Sequence, residues 1–340
     1  MPPLVKIPYA DIRGYTPLEL LFLYRGRAHA LVEAAAKAFG KPGRMASAVL
    51  MPLADRASRR WLEKSHNPYL MEIAGAAATL GIPGVYVLNI CFEWGCTSGV
   101  WNEHDNPVMR RVLDWPFPSL GENLVVAHQK GPAGDFYNIT WPGFSGVLQA
   151  IAPGRFAVAI NQAPMRRRGT GVVGDWALGR VVVGRNFALP PSHLLRRVFE
   201  TAKDFKAAEY MLCHMPLAVP AIFTLSGIRG SEGCIIERTE NAFAVRAMDG
   251  RNVCASNHFE SRLSYAGRGW RARPIDSQGR LACARTLGGV TADFSWFIPP
   301  IANVNSRLAM VANAGAGLLS VMGTFGGRPV TETFHLSAEV

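Results

Sequence analysis

Between residues 122 and 164 three strand-length apolar runs, "ENLVVAHQ", "FYNITWPGFSGVLQAIA" and "RFAVAINQAP", follow one another with Pro-Gly turns between them. No helix-length segment separates them, so the strict alternation of strand and helix that a doubly wound sheet or an α/β barrel needs is absent. No phosphate-cradling glycine loop is present either. "LGRVVVGRN" adds a candidate strand at 178–186. "GCIIERTENAFAVRAMDG" at 233–250 reads as a hairpin, "NVCASNHF" as a following strand, and "GLLSVMGTFGGRPVTETFHLSA" as another hairpin.

Helices frame these strands. "TPLELLFLYRGRAHALVEAAAKAFG" has Thr16 as its N-cap, Pro17 at the first helical position and Glu19 three residues after the cap, with Gly40 closing it. Its apolar stripe beside Arg25 and Arg27 fits core packing, with peripheral membrane contact as the alternative. "SRRWLEKSHNPYLMEIAGAAATLG" is a second helix, bent near Asn67–Pro68. "PPSHLLRRVFETAKDFKAAEYMLCHMP" returns to helix. The most apolar stretch, 207–227, is broken by Glu209, His214, Pro216 and Pro220, and reads as core. Helices, strands, helices and strands in that order predict an α+β fold, with antiparallel sheet covered by helices.

The chain has 340 residues, 49% hydrophobic and 18% charged, enough to bury a core without a disulfide or metal staple. Its formal charge of +11 reads as a solvated basic surface. The densest cationic run, "MRRRG" at 165–169, lacks the aromatic interleaving of a single-strand binder, so no nucleic-acid partner is expected. The six cysteines contain no C-x-x-C pair, so neither a metal site nor a redox dithiol is expected. "MPPLVKIPYADIRGYTP" has no apolar signal region, and free thiols in the cytoplasm are the expectation.

Chemistry concentrates at "CFEWGCTSGVW", residues 91–101. A cysteine attacks as thiolate, with an unperturbed pKa of about 8.5, so it needs help at neutral pH. Arg111 is a permanent cation, and Asp114 follows three residues later. On a helix these two would share a face; on a strand they would point to opposite sides. Any of the eight histidines that folds beside Cys96 would make a Cys–His pair, and spacing does not choose among them. A second source of base exists. If the Gly95–Cys96 bond were cut, the new α-amine of Cys96 would take the thiol proton, placing nucleophile and base in one residue. Gly95 would permit the strained backbone of an N-to-S acyl shift. A side-chain amide such as Asn257 is a suitable oxyanion donor. Cys91 lacks this context and reads as packing.

These residues carry a resemblance. "YLMEIAGAAATLGIPGVYVLNICFEWGCTSGVW" with "RRVLDWPF" resembles the acid ceramidase, N-acylethanolamine acid amidase and choloylglycine hydrolase group of N-terminal-nucleophile (Ntn) hydrolases. "ITWPGFSGVLQAIAPGRFAVAINQ" and "GCIIERTENAFAVRAMDGRNVCASNHF" look like its later blocks. "SNHF" and "IDSQGRL" are also similar to the acyl-coenzyme A:6-aminopenicillanate acyltransferases. The resemblance implies an αββα sandwich, no cofactor, and self-cleavage into a helical piece 1–95 and a catalytic piece 96–340 that remain a two-chain heterodimer. It implies Cys96 as nucleophile, flanked by Arg111 and Asp114, with Asn257 in the oxyanion hole and Asn161 supporting it. Arg280 is the later arginine it implies, with Arg262 and Arg271 as alternatives, and Arg110 is the alternative to Arg111. Where the ceramidase-like enzymes carry a glutamate, this chain has Gln162. The implied substrate is a linear N-acyl amide with an apolar acyl chain, N-acylethanolamine- or ceramide-like or an N-acyl amino acid. Acyl transfer on the same scaffold, or a non-catalytic binding role, are the alternatives.

Overall fold

A computed structural model describes residues 3–38, 40–90, 94–263, 269–273, 275–289 and 293–337. Cys91 lies outside them.

A short strand, β1 (Tyr9–Asp11), precedes five helices: α1 (Glu19–Leu23), α2 (Arg25–Ala38), α3 (Gly40–Lys64), α4 (Leu70–Leu80) and α5 (Val85–Asn89). Seven strands follow: β2 (Gly95–Glu103), β3 (Asn106–Asp114), β4 (Val125–Gly131), β5 (Gly134–Thr140), β6 (Gln149–Ala152), β7 (Phe156–Gln162) and β8 (Met165–Arg166). Helices α6 (Gly171–Val183), α7 (Pro191–Thr201) and α8 (Phe205–His214) come next. Strands β9 (Ala221–Ser226), β10 (Gly233–Arg238), β11 (Phe243–Ala247), β12 (Asn252–Ala255) and β13 (Trp270–Arg271) lead to α9 (Ser277–Thr286). The chain closes with β14 (Ser306–Asn313), β15 (Leu318–Phe325), β16 (Arg328–Pro329) and β17 (Phe334–Leu336).

One sheet runs β1-β4-β5-β6-β7-β9-β10-β11, and a second runs β12-β2-β3-β14-β15-β16, with β17 also on β15. Every pairing within these sheets is antiparallel except β1 on β4. The two-residue side-chain period of a strand builds the layers. On β7, Phe156, Val158 and Ile160 join Leu194, Leu195 and Phe199 of α7 in one core. Ala157 and Ala159 face the other way, into a core shared with Cys96, Met109 and Leu113 of the second sheet. On the far side of that sheet, Trp101, Val108 and Val112 pack on Leu281 and Ala284 of α9. The order is therefore helix, sheet, sheet, helix, as the resemblance implied.

Several local expectations change. Thr16 does not cap a helix: α1 starts after Leu18, without a side-chain cap. Gly40 does not end the early helical region; it opens α3. The second helix is broken rather than bent, with α3 ending at Lys64 and α4 starting at Leu70. The 178–186 segment is not a strand, because Val181–Val183 continue α6. In the first helical region Leu20, Leu21 and Ala28 are buried, and Arg27 donates from Nη2 to Lys6 O at 3.0 Å. Phe22 and Leu23 remain exposed. Among the described residues no helix is long and apolar enough to cross a membrane.

Candidate active site

Cys96 is the second residue of β2, at the edge of the space between the two sheets. Register pairs Cys96 with Leu113 and Ser98 with Arg111 on β3. Alternation then decides between the neighbouring arginines. Arg111 points inward, donating from Nε to Gln149 Oε1 at 2.9 Å and from Nη1 to Asn161 Oδ1 at 3.4 Å. Arg110 points to the opposite side, its guanidinium 4.5 Å from the centre of the Trp101 ring and bonded to the carbonyls of Gly288 and Gly289. Arg110 is therefore not at the thiol.

Cys96 is fully buried and held at several atoms. Its backbone N–H donates to Asn257 Oδ1 at 2.8 Å, and its Sγ lies 3.4 Å from Ile160 O. Its carbonyl accepts from Arg280 Nη1 and, at 3.1 Å, from Ser256 Oγ. Arg280 reaches this point from α9, fully buried. It also donates to Thr97 Oγ1 at 2.9 Å and to Asn257 Oδ1 at 2.8 Å, and lies 3.3 Å from Asp114 Oδ2. The N-cap of α9, Asp276, fixes this reach: its side chain accepts from Gly279 N. Asn257 is itself fixed, its N–H donating to Ser277 Oγ and its Nδ2 to Gln162 O, both at 2.8 Å. The amide oxygen of Asn257, not its nitrogen, thus faces Cys96.

Burial pushes the Cys96 thiol up, and the Arg111 guanidinium, by charge and hydrogen bonding, is the main influence pulling it back. Burial also raises the Asp114 carboxyl, opposed first by Arg280 and then by Ser306, whose hydroxyl donates to Oδ1 at 2.8 Å. Gly95 is not in the left-handed region, so the backbone freedom expected of it is not used. Space is what it supplies. A Cβ there would stand 3.2 Å from Asp114 Cβ and 3.7 Å from Asn257 Oδ1.

Asn161 lies one shell further in, accepting from Ser98 Oγ at 2.9 Å and donating to the carbonyls of Ala255 and Ser256 at 3.2 Å. Gln162 is buried beside it. Of the alternative late arginines, Arg262 is exposed and Arg271 faces Asp175 across 3.8 Å. None of the described hydrogen bonds of Cys96 goes to a histidine. His258 follows Asn257, but its ring turns to Ser277 Oγ at 2.7 Å. Ser256 and Ser277 have no role in the sequence reading, and Thr97 enters it only as part of the "CFEWGCTSGVW" stretch. Their nearness in sequence to Cys96, Asn257 and Arg280 means nothing until the strands are paired.

Among the described residues no group of three or more His, Cys, Asp or Glu side chains is placed to hold a metal. Cys96, Cys213, Cys234, Cys254 and Cys283 are all free. Beyond Gln162 the chain borders a groove between α6, β8 and β13, with Arg166, Trp176 and Trp270 in its wall.

No family model matches the chain. Acid ceramidase of Bos taurus is 26% identical over 213 residues, 56% of this chain and 52% of that protein. N-acylethanolamine-hydrolyzing acid amidase of Oryctolagus cuniculus is 28% identical over 182 residues, 51% of this chain and 48% of that protein. The chain thus spans about half the length of the curated relatives it matches. A solved structure, the Caenorhabditis elegans N-acylethanolamine-hydrolyzing acid amidase ortholog, superposes with a TM-score of 0.51 at 19% identity, covering 65% of this chain and 93% of that one. The chain has the Ntn hydrolase fold, and in its matched half it resembles acid ceramidase and N-acylethanolamine-hydrolyzing acid amidase.

Proposed function

We propose that the chain is a self-processing cysteine amidase that hydrolyses linear N-acyl amides. In the first stage the Cys96 sulfur attacks the Gly95 carbonyl carbon, and the Gly95–Cys96 C–N bond breaks with a proton passing to nitrogen. Water then hydrolyses the thioester, leaving a Gly95 carboxylate and a free Cys96 amine. In the second stage that amine, with an unperturbed pKa of about 8, takes the thiol proton. The thiolate adds to the substrate carbonyl, the substrate amine leaves with the proton, and water clears the acyl thioester.

The observation that carries this reading is the grip on Cys96: nitrogen by Asn257 Oδ1, carbonyl oxygen by Arg280 and Ser256, with the sulfur beside Arg111. A structural cysteine needs none of these. Asn257 Oδ1 would keep the freed amine oriented and its lone pair toward the sulfur. Asn257 Nδ2 is the right type of donor for the oxyanion, and using it there gives up its bond to the Gln162 carbonyl. Asp114 would balance the buried Arg280, and Arg111 would favour the thiolate. The names of the relatives, a ceramidase and an N-acylethanolamine-hydrolyzing amidase, support an apolar acyl chain.

After the cut, pieces 1–95 and 96–340 would stay together. Glu72 of α4 meets Arg196 of α7 at 2.9 Å with both buried, Tyr69 Oη donates to Glu200 at 2.8 Å, and Asn67 bonds His193 at 2.8 Å. Intact-mass measurement of purified protein tests the reading. Two masses divided at residue 95, abolished together with fatty-acyl amide turnover by Cys96→Ala, are expected. An active chain that stays whole would refute the amine-as-base mechanism.

A further inference from the structure

We propose that Tyr9, His128 and Asp135 form a second nucleophilic site, outside the Cys96 cluster, in which the Tyr9 hydroxyl takes the acyl group of aryl esters. Alternation along the strands puts Tyr9 and Asp11 of β1, His128 of β4, and Asp135 and Tyr137 of β5 on one face of the larger sheet. Register sets His128 opposite both Asp11 and Tyr137. Tyr9 Oη lies 2.7 Å from His128 Nδ1, and His128 Nε2 lies 2.9 Å from Asp135 Oδ2. With the Nε2 proton donated to Asp135, Nδ1 is the acceptor for the phenol. Arg13 donates to both oxygens of Asp11 at 2.7–3.2 Å and to Asp135 Oδ2 at 3.3 Å, so the orienting carboxylate is itself held. Nucleophile, base and orienting acid thus stand in a hydrogen-bonded series, the arrangement that activates a hydroxyl.

This series is not what fastens β1. The main chain does that, through the pairing of residues 9–11 with 126–128 and the bond from Ile12 N–H to His128 O at 3.0 Å. Access differs along the series: His128 is buried, whereas Tyr9 is 44% exposed, so an arriving ester meets the phenol with its base beneath it. The rings of Tyr9 and Tyr137 flank the imidazole, their centroids 6.1 and 4.4 Å from it. They offer a flat aromatic leaving group a surface to lie on. Burial raises the Tyr9 hydroxyl above its ordinary range; Tyr137 and the Asp11 and Asp135 carboxylates add to the rise, and Arg13 opposes it. The phenol therefore keeps its proton at neutral pH and attacks only as a base removes it. In the proposed step Tyr9 Oη bonds to the ester carbonyl carbon while its proton passes to His128 Nδ1. The ester C–O bond then breaks, and the aryl oxygen leaves with that proton. Asp135 is the positioning residue.

The probe is 4-nitrophenyl acetate, added to the full chain carrying Cys96→Ala so that no thiol at that position competes. Acetylation is located and timed by peptide mass spectrometry. Tyr15 and Tyr210, 69% and 66% exposed, are internal controls, because exposure alone would label them before Tyr9. Tyr9 is expected to acetylate at least about tenfold faster than either. His128→Gln keeps a hydrogen-bonding group but removes the base, and is expected to bring Tyr9 down to the rate of Tyr15. Asp135→Asn, which loosens the imidazole from its tautomer, is expected to slow Tyr9 severalfold and leave Tyr15 and Tyr210 unchanged. A Tyr9 that labels no faster than Tyr15 and Tyr210 overturns the inference, and that comparison needs no further variant to fold. A Tyr9 rate that His128→Gln leaves unchanged overturns it equally. None of these readouts involves amide turnover, so the site stands or falls independently of the Cys96 mechanism.

Discussion

Arg280 is the strongest test of the reasoning about Cys96, because a single fully buried cation serves Cys96, Thr97, Asn257 and Asp114. In Arg280→Met most partners keep another donor. The Cys96 carbonyl retains Ser256 Oγ, and Asn257 Oδ1 retains the Cys96 N–H. Asp114 Oδ1 retains Ser306, but Oδ2 loses its ion-pair partner. Removing one partner of a buried ion pair costs about 3–5 kcal/mol, at least about a fifth of the ~5–15 kcal/mol that stabilises a typical domain. The cost should depend on pH. Burial already raises the Asp114 carboxyl, and Arg280 is the largest influence opposing that rise. A raised carboxyl contributes stability below its unfolded value of about 3.9 and loses it as pH rises through the folded value. Arg280→Met lifts the folded value further, so the variant goes on losing stability over a pH range where the wild type is level. Urea unfolding in a Cys96→Ala background, which keeps the chain in one piece, should show the full deficit at pH 8 and a smaller one at pH 5. Adding Asp114→Asn should recover roughly 1–3 kcal/mol at pH 8. A deficit equal at both pH values, with additive single substitutions, would refute the account.

Three further outcomes are expected. His193 is buried and held neutral, its pKa pushed down to about 3 by burial; as pH falls below about 6.5 the unfolded chain gains a proton that the folded one refuses, removing about 1.4 kcal/mol per pH unit, and His193→Gln should flatten that slope in acid denaturation. Glu72→Ala takes one carboxylate from Arg196, which keeps Glu200 at 2.8 Å, so a loss of about 2–3 kcal/mol is expected, together with earlier separation of 1–95 from 96–340 in urea, read by size-exclusion chromatography. Arg111→Leu should abolish amide turnover, whereas Arg110→Leu should lower the melting temperature through its lost Trp101 contact and leave self-cleavage in place, as gel electrophoresis would show.

Much of the sheet was legible in the sequence because Pro and Gly punctuate it. The runs at 122–164 became β4 to β7, and 233–250 became the β10–β11 hairpin. The "RVVV" segment misled because β-branched residues favour strands, yet among the described residues no strand pairs with it and the chain coils into α6. Gly40 misled in the opposite way, since a glycine between two helical stretches marks a stop or a start equally well in sequence. At the site, Cys96, Arg111 and Asp114 share one hairpin, and their spacing made them visible as a group. Asn257 and Arg280 stand 161 and 184 positions from Cys96. Residue type alone made Asn257 suitable, and it took the resemblance to single out both, because the antiparallel pairing of β12 on β2 and the packing of α9 behind it are not written in any local pattern.

The first strand has a consequence for how such a protein is made. Residues 5–12 are stitched to distant parts of the chain by main-chain bonds: Val5 to Val330 and Glu332, Pro8 to Val126, and Ile12 to His128. β1 thereby covers the β4 margin of the larger sheet. A polypeptide started directly at Cys96 would leave that margin bare, with unpaired amides ready to recruit a neighbour's strand. The leading 95 residues would then be no disposable prosegment. They would act as a built-in chaperone that never departs, and recombinant expression of the later piece by itself should yield aggregate unless the missing strand is supplied in trans.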